Sequence, residues 1–373
     1  MVHSRNHVVI DLGALAHNFA EVKGLVAPGT KIMGIVKSDA YGHGLLPVSR
    51  VLENHGVDRL GVAHLHEAMD PRKNGIAVPV VVLCGVRTKE EAGVAIEERL
   101  IPVLFDEEMA EAVAGECRRR GAKLRVLVKV DTGMGRLGIP DSGLRTSLKK
   151  IMDHEELIIE GLMSHLSSAD EPTRDFTNAQ LGSFREAILT GHSIGLDLPM
   201  NTLANSAGIA GYRDSHFQMV RPGILLYGGV PAPECSKSLN LKPVMHLRGE
   251  ILQVREMPKG RPISYGHTYR TQGLQRIAVT SVGYGDGVSR SLSNRGKVLI
   301  NGQKVNILGR VCMNMTMADV TGLGDVRPGD EVVFLGSQGD HCITGDEMAA
   351  WAQTISYEVF CSIGQRNSRE YVQ

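Results

Sequence analysis

The sequence predicts an α/β fold: a (β/α)8 TIM-like barrel followed by a mainly β C-terminal domain. Three observations carry this. The chain has 373 residues, above the size at which a single core usually stops growing, so two domains are expected. Its first two-thirds alternates short β-branched runs with longer amphipathic stretches. After about residue 240 the helical spacing gives way to strand-like runs separated by Gly, Asn and Asp.

The candidate barrel strands are KIMGIV (31–36), RLGVA (59–63), VPVVVLCG (78–85), LIPVLF (100–105), LRVLVKV (124–130), LIIEGLMSH (157–165), LPMNTLAN (198–205) and FQMVRPG (217–223). They are apolar without strict alternation, which suits a parallel sheet covered on both faces. Helix-like stretches lie between them. LLPVSRVLENHG (45–56) has apolar residues at helical spacing and closes on Gly56. DEEMAEAVAGECRRRG (106–121) opens acidic, ends basic and stops at Gly121, as a helix dipole favours. Eight such repeats in roughly 210 residues approach the ~250 residues of a (β/α)8 barrel. A doubly wound open sheet is equally compatible with that periodicity.

The later strand-like runs are LKPVMHLRGEILQVREM (241–257), QRIAVTSVGYGDGV (275–288), GKVLINGQKVNILGRVCMNMTMADVT (296–321) and DEVVFLG (330–336). The Asn-Gly within LINGQKV marks a hairpin. One late helix is expected over GDEMAAWAQTIS (345–356). The expected domains are 1–240, the barrel, and 241–373, mainly β, with the first ~10 residues a candidate strand for the second domain.

Composition excludes some function classes. Lys+Arg and Asp+Glu balance at 41 each, so no global field favours nucleic acid or an anionic membrane. No apolar stretch approaches the ~20 residues of a membrane span. The N-terminus lacks the long apolar core of a secretory signal. The six cysteines are scattered, which argues for reduced thiols in a cytoplasmic protein and against a disulfide framework or a metal site.

The first candidate strand delivers Lys37 to its far end. Barrel active sites lie at the C-terminal ends of the strands. A partly desolvated lysine there has a lowered pKa and serves as an amine nucleophile or base. A lone strand-end lysine more commonly snorkels to water. Other positions alter the balance. Arg221 and Gly223 end the eighth candidate strand, and Asn205 and Ser206 end the seventh. The loops after strands seven and eight form the usual barrel phosphate site. A Gly-rich backbone with a serine hydroxyl wraps a phosphate through N–H donors. A strand-one lysine opposite a phosphate cradle is what pyridoxal 5'-phosphate requires.

With VKSDAYGHG, KVDTGMGRLG, NSAG, RPGILLYG, ISYGHTY, VGYGDG and GRVCMNM in this order, the chain resembles the alanine racemase family over nearly its whole length. The resemblance implies a pyridoxal-phosphate enzyme that interconverts L- and D-alanine, for peptidoglycan. Lys37 would carry the cofactor and act as acid–base on one face of the substrate, with Tyr265 on the other. Racemisation needs two such groups, one removing the α-proton and one returning it from the far side. Arg221 would face the pyridine nitrogen, and His165 would orient it. Tyr41, Asn205, Ser206, Gly223, Ile224 and Tyr357 would surround the phosphate. Arg136 would contact the substrate carboxylate, Met313 would offer it a backbone N–H, and Tyr284 would line the approach. Lys129 is a position often carbamylated in the family. No metal is implied. Lys37 and Tyr265 would come from different subunits of a homodimer. The same barrel serves amino-acid decarboxylases, which would need an acidic partner in place of Arg221. Racemisation of another small amino acid such as serine, or a non-catalytic cofactor-binding barrel, are the remaining readings. The chain departs from the family pattern at Ser38-Asp39, where Ala-Asn is frequent, at Asn314, where aspartate is frequent, and in GQRNSREY, where Arg-Val-Pro-Arg is usual.

Overall fold

The computed structural model describes residues 5–232 and 239–373. β1 (His7–Asp11) leads into α1 (Leu12–Leu25), which Asp11 caps by accepting from the Ala14 N–H at 2.7 Å. The barrel then runs β2 (Lys31–Ile35), α2 (Lys37–Tyr41), α3 (Leu45–Asn54), β3 (Arg59–Val62), α4 (Leu65–Lys73), β4 (Val80–Val82), α5 (Lys89–Glu97), β5 (Ile101–Leu104) and α6 (Glu107–Arg120). It continues through β6 (Leu124–Asp131), β7 (Ile139–Pro140), α7 (Leu144–Met152), β8 (Leu157–Met163), α8 (Asp175–Ser193), α9 (Ser206–Gly211) and β9 (Met219–Val220). Asp106 caps α6 and Gly121 ends it in the left-handed region, with Arg118, Arg119 and Arg120 in its last turn.

The strands form a parallel ring. β2 pairs with β3 and β9, β3 with β4, β4 with β5, β5 with β6, and β6 with β8. The strand expected at 198–205 is only a pair of bridges, from Thr202 to Met163 and to Met219. Pro199 has no N–H to give, and the Asn201 side chain accepts from the Leu162 N–H in place of a backbone carbonyl. The bridges still close the circle, since Thr202 N donates to Leu162 O and Ser164 N to Thr202 O. Closure excludes the doubly wound sheet, which would leave two edges.

The second unit comprises β10 (Met245–Met257), β11 (Pro262–Ile263), β12 (Tyr269–Arg270), β13 (Gln275–Thr280), β14 (Lys297–Ile300), β15 (Gln303–Asn306), β16 (Thr316–Asp319), β17 (Glu331–Gln338) and β18 (His341–Ile343). It ends with α10 (Gly345–Ala352), α11 (Ser356–Arg366) and β19 (Arg369–Val372). β1 sits in this sheet, antiparallel to β10 and parallel to β19. The Asn301-Gly302 hairpin forms as its sequence predicts, with both φ values positive and Ile300 opposite Gln303. The late helix expected over 345–356 stops at Ala352, and a further helix follows beyond it. Gln353 turns left-handed at φ +58° and ends α10.

α11 lies directly on the turn after β2. A Cβ on Gly364 would collide with the Gly42 carbonyl, and one on Gly42 would come within 2.6 Å of the Phe360 carbonyl. The free cysteines among the described residues are Cys84, Cys117, Cys312, Cys342 and Cys361; Cys235 lies outside them. Among the described residues no helix is long and apolar enough to cross a membrane.

α1 ties the two sheets together, and its Phe19 is among the largest fully buried side chains. Phe19→Ala is expected to cost about 3–5 kcal/mol by lost burial and cavity formation, read as a lower urea midpoint.

Candidate active site

Lys37 emerges where β2 ends, and the next four residues take an uncommon path. Ser38, Asp39, Ala40 and Tyr41 have φ of +54°, +54°, +52° and +55°. They form a left-handed turn, closed by Ala40 N to Val36 O at 2.8 Å and Gly42 N to Ser38 O at 3.0 Å. For residues bearing a Cβ this costs about 1–2 kcal/mol each, so the surroundings must hold it. Glu67 Oε1 accepts from Ser38 N at 2.6 Å. Asp39 Oδ1 accepts from Leu45 N at 2.7 Å. His43 Nδ1 meets the carbonyls of Ala40 at 3.0 Å and Tyr41 at 3.1 Å, so that nitrogen carries the proton. Burial pushes His43 down to about 3, and its neutral ring stacks on Tyr227 at 4.5 Å. Tyr227 in turn donates to Ile35 O at 2.8 Å, fixing the end of β2.

The turn aims Tyr41 across the barrel mouth. Its hydroxyl lies against Gly223, where a Cβ would come within 2.5 Å of it. Gly223 N donates to Ser206 Oγ at 2.9 Å. Asn205 caps the short α9 by accepting from Gly208 N at 3.0 Å and donates to Leu166 O at 3.0 Å. Ile224 follows Gly223 at the start of a 3-10 turn, and Tyr357 reaches in from α11 with its ring 5.6 Å from that of Tyr41. Tyr41, Asn205, Ser206, Gly223, Ile224 and Tyr357 thus gather around one end of the mouth. A cavity of about 480 Å³ adjoins this end, lined by His165, Asn205 and Tyr357 and by the carboxylates of Asp170 and Asp346.

The other end is cationic. Arg221 is buried, donating through Nη1 to Thr202 Oγ1 at 2.7 Å and through Nη2 to Ser164 O at 2.6 Å and Leu203 O at 3.1 Å. The same Nη2 lies 3.2 Å from His165 Nδ1. A guanidinium nitrogen only donates, so Nδ1 accepts and the imidazole proton sits on Nε2. Burial, then Arg221, Lys129, Arg136 and Lys37, hold His165 well below its usual range and therefore neutral. Burial, then Arg221 and Arg136, push Lys129 down to about 7. Burial and then Arg136 lower Lys37 as well. Asp131 partly offsets the charge at Lys129, while its carboxylate also receives the N–H groups of Gly133 and Gly135. Cations concentrated on a largely desolvated mouth make it a receptor for anions.

Tyr265, Tyr284 and Met313 lie elsewhere. Tyr265 and Tyr284 line a cleft of about 910 Å³ made of second-domain residues. Tyr265 is 67% exposed and Met313 58%. Tyr284 N donates to Cys312 O at 2.9 Å and Gly285 N to Met313 O at 2.7 Å, which joins these two loops. The barrel residues and this second group therefore occupy separate surfaces of one chain. The supporting residues His43 and Tyr227 lie in the motifs YGHG and RPGILLYG and Thr202 in the candidate strand at 198–205, but nothing in the sequence singles out their supporting roles or Glu67.

Residues 10–231 match the family model for the alanine racemase N-terminal domain, and 244–371 that for the C-terminal domain. The chain is 43% identical over 371 residues to the alanine racemase of Syntrophobacter fumaroxidans, covering 100% of this chain and 98% of that one. This chain belongs to the alanine racemase family. Solved structures of the family agree. That of the alanine racemase from D-cycloserine-producing Streptomyces lavendulae superposes with a TM-score of 0.93 at 31% identity, covering 100% of this chain and 98% of that one. The alanine racemase of Bartonella henselae, solved with covalently bound pyridoxal phosphate, superposes at 0.87 with 29% identity, covering 99% of this chain and 100% of that one.

Where the chain departs from the family pattern, the departing residues have local partners at two positions. Asp39 has a backbone partner in Leu45. Asn367 donates to Asp286 O at 2.9 Å and Ile363 O at 2.8 Å, fastening the end of α11 to the turn that carries Tyr284. Asn314 is exposed on the second domain.

Because Lys129 titrates near 7 when folded and near 10.4 when free, the unfolded chain binds the extra proton between about pH 7 and 10. That term makes stability rise with pH over the interval. In CO2-free buffer Lys129→Met is expected to show a shallower rise in melting temperature than the parent; an unchanged slope would mean that Lys129 does not titrate there.

Proposed function

We propose that this chain is an alanine racemase that uses pyridoxal phosphate at the barrel mouth and supplies D-alanine for peptidoglycan. The observation that carries the reading is the facing pair of features on one strand-end surface: a lysine with a lowered pKa, and a cradle of Tyr41, Ser206 and Gly223 too close to admit a side chain at Gly223. That cradle, with its hydroxyls, fits a phosphate. The cationic end fits the phenolic oxygen of the cofactor and a substrate carboxylate.

When bound, pyridoxal phosphate supplies an electron sink for the pair left behind as the amino acid loses its α-proton. The chain's own residues do the rest. Lys37 holds the cofactor, and its lowered pKa favours the unprotonated amine that can accept a proton. Tyr41, Asn205, Ser206, Gly223, Ile224 and Tyr357 hold the phosphate end. Arg221 faces the pyridine nitrogen. Burial lowers it only to about 9, so it keeps its proton at neutral pH and donates none. Neutral His165 orients it. Arg136 grips the substrate carboxylate, aided by the Met313 N–H. Carbamylation of Lys129 would replace a repelled cation with an anion beside Arg136; an amine pushed down to about 7 is unprotonated often enough to react.

Tyr265 is the second acid–base and comes from the partner of a homodimer. Its exposure, on a second-domain surface separate from Lys37, supports this assignment. In a two-fold dimer each site then takes Lys37 from one subunit and Tyr265 from the other.

L-Alanine incubated in D2O with the protein and pyridoxal phosphate is expected to yield D-alanine deuterated at the α-carbon, resolved by chiral chromatography. Lys37→Ala should abolish this, and Tyr265→Phe should reduce it by about 10²–10⁴-fold. Faster turnover of L-serine or L-lysine in parallel would overturn the alanine assignment.

Co-expression of Lys37→Ala with Tyr265→Phe tests the shared site. Random pairing makes half the dimers mixed, each with one intact site, so about a quarter of wild-type activity should return. No recovery in a preparation shown to contain mixed dimers would place both residues in one subunit.

A further inference from the structure

The left-handed turn that carries Lys37 is gripped from the far end of the chain. β19 runs parallel to β1, with Arg369 beside Val8 and Tyr371 beside Ile10. This pairing brings β19 past the barrel mouth. Arg369 Nη1 pairs with the Asp39 carboxylate through Oδ2 and donates to Gly42 O at 2.9 Å. The other oxygen of Asp39, Oδ1, is already engaged by Leu45 N at the start of α3. Tyr371 packs over Gly44, where a Cβ would collide with its Oη.

The geometry of this contact is specific to the turn. Asp39 lies within the left-handed residues, and Gly42 is their C-terminal end. One guanidinium nitrogen therefore spans the turn, from its second residue to its cap. Arg369 and Asp39 are sheltered, with side chains 23% and 39% exposed, so solvent screens the pair only in part. Among the described residues, Arg369 is the cation paired with Asp39. Of the two partners only Asp39 departs from the family pattern, since asparagine is frequent there; in Arg366-Asn367-Ser368-Arg369, set against the usual Arg-Val-Pro-Arg, both arginines are kept. A carboxylate in place of an amide turns a hydrogen bond with one ionised partner into an ion pair.

The turn needs such a grip. If residues 38–41 relaxed to right-handed φ, Tyr41 would rotate away from Gly223 while Lys37 stayed near the end of β2. The two groups would no longer face one ligand. We propose that Arg369 is a positioning residue: through Asp39 and Gly42 it holds the left-handed turn so that the Lys37 amine and the Tyr41 hydroxyl address the same bound molecule. For the identity of that molecule the inference rests on the pyridoxal-phosphate reading above.

The test uses the full-length protein and the variants Arg369→Met, Arg369→Lys and Asp39→Asn. Met keeps the length of the stem without the charge. Lys keeps the charge and enough donors for both acceptors. Pyridoxal phosphate is titrated into each protein and followed by its visible circular dichroism. Amide hydrogen exchange over residues 38–44 is measured with and without cofactor, with α6 as the internal reference. Arg369→Met is expected to weaken cofactor binding about ten-fold, to diminish the dichroic band, and to speed exchange in 38–44 but not in α6. Arg369→Lys should recover most of the affinity. Asp39→Asn should fall between, because Asn still accepts from Leu45.

If Arg369→Met merely melts earlier, with wild-type cofactor affinity, dichroism and exchange in 38–44, Arg369 is only a contact between domains and the inference fails. If the parent protein binds no pyridoxal phosphate, the functional reading fails instead. Exchange in cofactor-free protein still decides the clamp in that case: faster exchange in Arg369→Met upholds it, and unchanged exchange rejects it.

Discussion

The left-handed turn from Ser38 to Tyr41 is the constraint around which the molecule is arranged. Four consecutive residues with side chains stand in a region that L-amino acids avoid. The chain does not choose this locally; its neighbours impose it. Glu67 comes from α4, Leu45 from α3, Tyr227 from the end of the barrel, Arg369 from β19, and the backbone of α11 presses on Gly42. Each support belongs to a different element, and those from α11 and β19 cross from the second domain. The turn is therefore the joint between the two domains as well as the mount for Lys37 and Tyr41.

A second constraint is charge. Lys37, Lys129, Arg136 and Arg221 act on one another at the barrel mouth, with Asp131 the nearest compensation for Lys129. Like charges in a poorly solvated site raise one another's energy. The structure relieves this by lowering the two lysines and by keeping His165 neutral, with Arg221 donating to its Nδ1. Arg221 keeps its proton because burial lowers it only to about 9, and its two Nη groups donate to carbonyl and hydroxyl acceptors. What remains is an excess of positive potential beside a hydroxyl-lined cradle, a combination that selects an anionic ligand. The same surface that costs stability creates the affinity, as is common where function is built.

Much of the fold was legible because its signals are local. The apolar strand runs, the capped and dipole-matched helix at 107–120 and the Asn301-Gly302 hairpin depend on residues within a few positions of one another. Departures occurred where distant residues intervened. The seventh strand reduces to bridges because Pro199 and the Asn201 side chain interrupt its ladder. The late helix stops short because Gln353 takes a left-handed φ, a state that no glycine announces.

At the site, residue chemistry was readable and geometry was not. A lysine ending a buried strand, a serine beside glycines and an arginine at a rim are recognisable from their types and positions. The handedness of the turn after Lys37 is not encoded in Ser-Asp-Ala-Tyr, whose local preference is right-handed. It depends on Arg369, 330 positions away from Asp39. The sequence by itself determined the elements, the two-part organisation and the chemical groups. Only the tertiary structure decided that the sheet closes, that Tyr265 stands apart from Lys37, and that the turn winds left. These outcomes depend on contacts between residues far apart in the chain, and no local pattern records such contacts.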